Sequence, residues 1–317
     1  MARPEINRRQ FLRAVAGTTA AVGAAALAGP GLGVANAANG VLIPRGKIGI
    51  QLFTIRNLVS SLGFRAVFEE LSRMGYRQIE FAGYTSPAEP GITPAQIRQL
   101  LDDNGLQGIG GHRGLNNFRN DMQAELDIAE TLGLPYIGTA NEPVSSANRT
   151  VAGYQAAAEE FNRFGAAAAE RGIKWYHHNH QNEFRFANDD PSVRLYDLLL
   201  SETDPKLVYL EMDIYWAHVG QHIAPGFEPA DYVRNNIRRY PLFHAKDGER
   251  AQNTNGYNIV EFGAGDIDYA GFFRSIGAKG PHYSLYEQDN APNTPAELGG
   301  AFGAAERSYQ AMSGLRG

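Results

Sequence analysis

The chain has 317 residues, 43% of them hydrophobic and 20% charged, with 36 glycines, 16 prolines and no cysteine. That composition excludes an intrinsically disordered chain, a collagen-like one and a disulfide scaffold. The 29 basic and 34 acidic side chains leave a net charge of −5, which disfavours nucleic acid as a partner because its phosphates would be repelled unless a local basic stripe outweighed the whole.

Residues 1–37 read as a unit of their own. Asn7-Arg8-Arg9-Gln10-Phe11-Leu12-Arg13 precedes an apolar Ala/Gly-rich stretch that ends in Ala35-Asn36-Ala37. This is the pattern of a twin-arginine export signal with an A-x-A cleavage site. The weak hydrophobicity, the glycines and the pair Gly29-Pro30 suit neither a membrane anchor nor an ordinary helix. Cleavage after Ala37 removes four arginines and one glutamate, so the net charge of the remaining 280 residues falls from −5 to −8. That part contains no basic stripe, no cysteine for lipid attachment, and no apolar run of about 18 residues that could span a membrane. The expected partner during export is the twin-arginine translocase, and the expected destination is the periplasm or the exterior. Substrates of that route cross folded, so any metal would be loaded beforehand.

From Lys47 onward, short β-rich runs alternate with longer amphipathic ones. Strands are predicted over 48–53, 78–82, 107–112, 136–140, 174–180, 208–215, 242–246 and 283–288, and helices over 64–74, 93–104, 119–132, 151–171, 192–201, 229–238, 269–276 and 295–312. Gly75, Gly105, Gly133, Gly172 and Gly277 stand where left-handed helix caps are wanted. Eight units in 280 residues predict a single α/β domain over 38–317, a (β/α)8 TIM barrel. A doubly wound sheet fits less well: no G-x-G-x-x-G turn follows the first strand, and Gly108-Ile109-Gly110-Gly111 lies inside one. The Asn- and Gly-rich segment 249–263 is left as a loop, a candidate lid or oligomer contact.

In such a barrel the chemistry sits at the C-terminal strand ends. Those ends carry Glu80, His112, Asn141 and Glu142, the run from Tyr176 to Phe184, Glu211, Asp213, His244-Ala245-Lys246-Asp247 and Glu287-Gln288-Asp289. So many ionisable groups need compensation, since each buried one without a partner costs several kcal/mol. Glu183, Asp213, His244 and Glu287, one from each of the last four units, are candidates to converge on a metal. Three carboxylates and one imidazole suit Mn²⁺, Mg²⁺, Co²⁺ or Fe²⁺.

The motifs sharpen this. His178-Asn179-His180-Gln181-Asn182-Glu183-Phe184 resembles an HNHxxEF motif, Glu211-Met212-Asp213-Ile214-Tyr215-Trp216 an ElDxyW, His244-Ala245-Lys246-Asp247 an HxKD and Tyr286-Glu287-Gln288-Asp289 a yEqD. The first strand, Gly49 to Arg56, and the turn Gly263 to Asp268 fit as well. Together they resemble the sugar phosphate isomerase/epimerase family, the xylose isomerase-like barrels, over about Lys47 to Asp289. The resemblance implies one divalent ion, Mn²⁺ first with Co²⁺, Mg²⁺, Fe²⁺ or Zn²⁺ as alternatives, held by Glu183, Asp213, His244 and Glu287. It implies Glu183 and Glu287 as an acid/base pair moving a substrate proton through an enediolate. His180, two residues along from His178 and on the same side of an extended strand, is a candidate to bind sugar hydroxyls or serve as an extra base, as is His178.

Glu80, His112, His178, Lys246 and Trp216 are candidates for substrate contact, and Phe53 offers another apolar face. Each also has a structural reading: a hydrogen bond to a metal ligand for Glu80 or His112, a wall hydrogen bond for His178, an ion pair with Asp247 for Lys246, and packing for the aromatics. Where many ketose epimerases have a histidine three residues after the aspartate, this chain has Trp216, and it has no second carboxylate set for a two-metal hydride shift. The expected substrate is a non-phosphorylated sugar or keto-glycoside, because phosphosugars stay in the cytoplasm. A 3-keto-glycoside lyase or hydrolase on the same site, or a non-catalytic exported sugar-binding barrel, are the competing readings. An apurinic-site endonuclease would need more metal ligands and a basic DNA face. A homo-oligomer stays open.

Overall fold

Eight short strands, all parallel, form one sheet that curls into a barrel: β1 (Ile48–Gln51), β2 (Gln78–Phe81), β3 (Gln107–Gly111), β4 (Tyr136–Thr139), β5 (Lys174–His178), β6 (Val208–Asp213), β7 (Leu242–Ala245) and, after a hairpin, β10 (Tyr283–Tyr286). The hairpin is β8 (Asp247–Arg250) antiparallel to β9 (Tyr257–Val260). This computed structural model describes residues 40–83, 89–277 and 282–317. The export-signal reading of residues 1–37 falls outside them. Among the described residues, no helix is long and apolar enough to cross a membrane.

Strand order around the sheet is β3-β2-β1-β10-β7-β6-β5-β4. The two end strands meet only at one parallel bridge, His112 with Gly138, beside which the Arg113 N–H donates to Gly138 O at 2.8 Å. Gly138 is required by crowding: a Cβ there would lie 2.1 Å from Tyr176 O and 2.7 Å from its ring.

The alternation of each strand sorts its side chains between two cores. In β5, Trp175 and His177 point outward to the helix Val151–Glu170, where the Phe161 ring meets them at 4.6 and 5.3 Å. Tyr176 and His178 point inward. The large core lies between strands and helices, and a small one inside the barrel joins Ile109, Tyr136, Tyr176, Leu242 and Leu285. Above this inner plug the lining turns polar, as the stacked layers of such barrels allow.

Three local departures from the sequence expectations have physical causes. Residues 214–215 begin a helix, Ile214–Ile223, because Asp213 turns the chain by accepting the Trp216 N–H at 2.8 Å, capping it. Strand five ends at His178, so His180 lies on the following turn. The segment 249–263 is largely hairpin: Arg250 pairs with Tyr257, and Asp247 ties down the turn beyond it by accepting from Gly263 N at 2.9 Å and Gly265 N at 3.3 Å.

Candidate active site

The polar layer is built upward from the barrel plug. On its floor, β2 contributes Glu80 and β6 contributes Glu211, both fully buried. The β2–β3 register slips between Ile79 and Glu80, setting Glu80 beside Gly110. Gly110 leaves room there, since a Cβ would lie 3.0 Å from the Tyr176 hydroxyl and 3.2 Å from Glu80 Oε1. Glu80 accepts from the Tyr176 hydroxyl and, at 2.8 Å, from Gln51 Nε2.

Three histidines stand on this floor. Glu211 Oε2 lies 2.8 Å from His112 Nε2, 3.0 Å from His178 Nδ1 and 3.3 Å from His244 Nε2. Glu80 Oε2 lies 2.6 Å from His244 Nε2. Burial, reinforced by the Glu211 charge, raises the Glu80 carboxyl, whereas the three histidines overcome burial and hold Glu211 well below the usual carboxylate range. The His178 imidazole is pushed well below its ordinary value by burial, so it is neutral. Burial also acts against the charge on His244, but the Glu211, Glu287 and Glu80 carboxylates outweigh it and hold His244 well above its ordinary value.

The upper layer faces outward from the same rings. His244 Nδ1 is 2.9 Å from Glu287 Oε2 and 3.8 Å from Asp213 Oδ2, and His178 Nε2 is 3.9 Å from Asp213 Oδ2. His178, Asp213, His244 and Glu287 each offer one donor atom, all within 4.8 Å of one another. Asp213 Oδ2 is buried without a hydrogen-bond partner, and burial pushes this carboxyl up to about 6 although Lys246 and His244 pull it down. The Lys246 ammonium is buried against the carboxylates, 2.7 Å from Glu287 Oε2, 2.9 Å from Asp289 Oδ2 and 3.3 Å from Asp213 Oδ2. A cation thus already sits among the acids. Two imidazoles and two carboxylates form a nitrogen and oxygen donor set of the kind that holds Zn²⁺, Fe²⁺, Co²⁺ or Mn²⁺. An orphaned carboxylate oxygen aimed into that set fits a divalent ion.

The structure therefore brings Asp213, His244 and Glu287 together, but not Glu183. Strand five ends with His178 facing inward, and Glu183 comes five residues later on the 3-10 turn Asn182–Phe184. There it is buried, accepting the His180 backbone N–H at 3.1 Å, with Oε1 3.6 Å from His177 Nε2. His178 supplies the fourth donor instead. Among the described residues a second group could also hold an ion: His112, His178, Glu211 and His244.

Over the upper layer opens a cavity of about 320 Å³ lined in part by Phe53, His112, Asn141, His178, His180, Glu287 and Asp289. His180 stacks edge-on to His178, with centroids 5.0 Å apart, and burial lowers its proton affinity. Phe53 is 38% exposed at this mouth, with Arg56 4.0 Å from its ring centroid. Trp216 stands behind, its ring 5.6 Å from His180 and 5.3 Å from the Lys246 ammonium. Glu80, Lys246 and Trp216 do not line the cavity, and Asp247 is drawn away from Lys246 into the Gly263 to Gly265 turn. Gln51 is a functional candidate that the strand-end reading did not include, and Tyr176 and Glu211 stood among the strand-end residues without a role. The signal for Glu211 was its spacing, since two residues before Asp213 in a strand means the same inward face.

Comparison with known proteins agrees with this barrel. The xylose isomerase-like TIM barrel family matches residues 68–305. The chain belongs to that family. Among solved structures, a sugar phosphate isomerase/epimerase from Parabacteroides distasonis is 22% identical, with a TM-score of 0.69, covering 85% of this chain and 94% of its own. A probable 3-DHS dehydratase from Bacillus anthracis is 14% identical at a TM-score of 0.61, covering 83% of this chain and 98% of its own. The IOLI protein, solved with a bound zinc atom, is 14% identical at a TM-score of 0.62, covering 84% and 98%. At these identities the likeness establishes the shared fold. No curated protein matches the chain.

Proposed function

We propose that this barrel is a divalent-metal-dependent isomerase or epimerase, moving a proton through an enediolate on a non-phosphorylated sugar or keto-glycoside. The observation that carries the proposal is the meeting of His178, Asp213, His244 and Glu287 beneath the cavity. These four residues would hold the ion. When bound, it supplies Lewis-acid polarisation of a substrate carbonyl or hydroxyl oxygen, which acidifies the adjacent C–H.

The rest falls to this chain's own residues. Against the upward pull of burial, Lys246 and His244 keep the Glu287 carboxyl well below its ordinary value, so Glu287 stands ionised at the cavity wall, ready to accept a proton. His180, kept neutral by burial, is a second proton carrier lining the same cavity. The Lys246 ammonium places positive charge next to the site where enediolate charge develops. Phe53 gives the mouth an apolar face for a sugar ring. Residues 1–37 belong to the same proposal as a twin-arginine export signal, delivering the enzyme to a compartment where free sugars and glycosides are met.

The test is metal content by plasma mass spectrometry together with proton exchange in deuterated water on keto-sugars and 3-keto-glycosides. About one divalent ion per chain, and deuterium entering the substrate at one carbon with Glu287→Gln abolishing it, is the expected result. Release of an aglycone with no returned epimer or isomer would replace this reading with a lyase. No metal and no exchange would leave a binding barrel.

A further inference from the structure

The two donor groups share His178 and His244 through opposite ring nitrogens: the deep group meets His178 Nδ1 and His244 Nε2, the upper one His178 Nε2 and His244 Nδ1. One neutral imidazole has a single lone pair, so an ion bound in one group denies that ring to the other. We infer that Glu211 is a positioning residue whose single oxygen Oε2 fixes the tautomer of His178, reserving Nε2 for an ion in the upper group, while Glu80 does the same for His244. The inference rests on the metal reading above and adds which of the two groups the ion occupies, and why.

An ionised carboxylate only accepts, so the nitrogen 3.0 Å from Glu211 Oε2 must carry hydrogen, and in His178 that nitrogen is Nδ1. The lone pair of the neutral ring then lies on Nε2, on the side of Asp213. His112 Nε2, 2.8 Å from the same oxygen, donates a further hydrogen bond and leaves Glu211 Oε2 no open side for an ion. The distances on the floor, 2.6–3.3 Å, are those of hydrogen bonds, and every floor contact of His244 lies on Nε2. Glu80 Oε1 accepts from the Tyr176 hydroxyl and lies 3.3 Å from His112 Nε2, while Oε2 accepts from Gln51 and faces His244 Nε2 at 2.6 Å. In the upper group Asp213 Oδ2 is buried without a hydrogen-bond partner, as Glu211 Oε1 is on the floor, so the preference for the upper group rests on the ring nitrogens that Glu211 Oε2 and Glu80 occupy. A carboxylate behind each metal-binding imidazole is the arrangement that sets ring orientation and basicity.

The experiment uses Zn²⁺ as probe and long-range ¹H–¹⁵N correlation of the histidine rings in ¹⁵N-labelled protein, with His178 and His244 assigned through single variants. In the zinc-loaded protein we expect His178 protonated at Nδ1 and zinc-bound at Nε2, and His244 protonated at Nε2. Glu211→Gln, which keeps the shape but sets an N–H₂ among the rings, should weaken Zn²⁺ binding in chelator competition by about 10- to 100-fold and populate the opposite His178 tautomer. Zinc on His178 Nδ1 in the wild type would overturn the inference by placing the ion in the deep group. So would a Glu211→Gln protein with unchanged affinity and tautomer. If Glu211→Gln does not fold, the wild-type spectrum alone decides. If the wild type takes up no Zn²⁺, the metal reading fails by itself, and the His178 tautomer in the metal-free protein still tests whether Glu211 sets it.

Discussion

Replacing Lys246 by methionine removes the one ammonium that contacts three carboxylates in the upper layer, at 2.7, 2.9 and 3.3 Å, while keeping an unbranched side chain of similar length. Lys246 is 1% exposed and its partner Asp213 is fully buried, so water cannot take the place of the lost charge at Asp213. Stripping one partner from a buried ion pair costs about 3–5 kcal/mol. For a chain of this size about 2 °C is lost per kcal/mol, so the melting temperature in EDTA should fall by about 6–10 °C. A divalent ion bound by His178, Asp213, His244 and Glu287 would return positive charge to the same oxygens. The loss in saturating Zn²⁺ should therefore be less than half of that in EDTA, and zinc should raise the melting temperature of Lys246→Met by more than that of the wild type. Differential scanning calorimetry of both proteins in both conditions closes the cycle. Equal losses with and without Zn²⁺ would show that lysine and metal do not share these carboxylates, and no loss in either would refute the burial argument itself.

Two further outcomes follow from particular groups. Asp213, raised to about 6 by burial, must give up its proton to a metal, so Zn²⁺ affinity should rise with pH up to about 6, with about one proton released by this residue below that point. Calorimetric titration in buffers of different ionisation heat measures the release. For stability the sign is the opposite: the folded chain binds this proton more tightly than the unfolded one, so the contribution of Asp213 is present below 3.8 and lost as pH rises towards 6. Gly138→Ala would press a methyl to within 2.1 Å of Tyr176 O. Overpacking of this kind costs about 1–3 kcal/mol, so a melting temperature a few degrees lower is expected, and an unchanged one would show that β4 and β5 separate freely.

The barrel was legible because its signals are local and repeated. Apolar runs, helical periodicity and glycines such as Gly75 and Gly133, which do cap their helices at φ 110° and 72°, recur unit after unit. Asp213, His244 and Glu287 could be read because each lies at a strand's last residue or one residue to either side of it, and position along a barrel strand translates directly into height above the plug. Glu183 could not be placed by the same rule: it lies beyond the strand, where a 3-10 turn rather than alternation decides direction. Glu211 was hidden for another reason. A carboxylate that works by accepting from His112, His178 and His244 is defined by partners 99, 33 and 33 residues away, and sequence proximity carries nothing of that meeting. The helix after Asp213 was masked because Ile214 to Val219 carries only His218 as a strongly polar residue, too little to show a helical period.

The bridge that joins β3 to β4 involves His112, whose ring also rests on Glu211. Elsewhere around the ring, neighbouring strands are zipped by several successive pairs, so this is where the cylinder breathes most cheaply. Deuterium uptake at the Arg113 amide, which is hydrogen-bonded across that gap to Gly138, measures how often the bridge opens. An occupant of the cavity that grips His112 would slow it, acting as a clasp on the barrel wall.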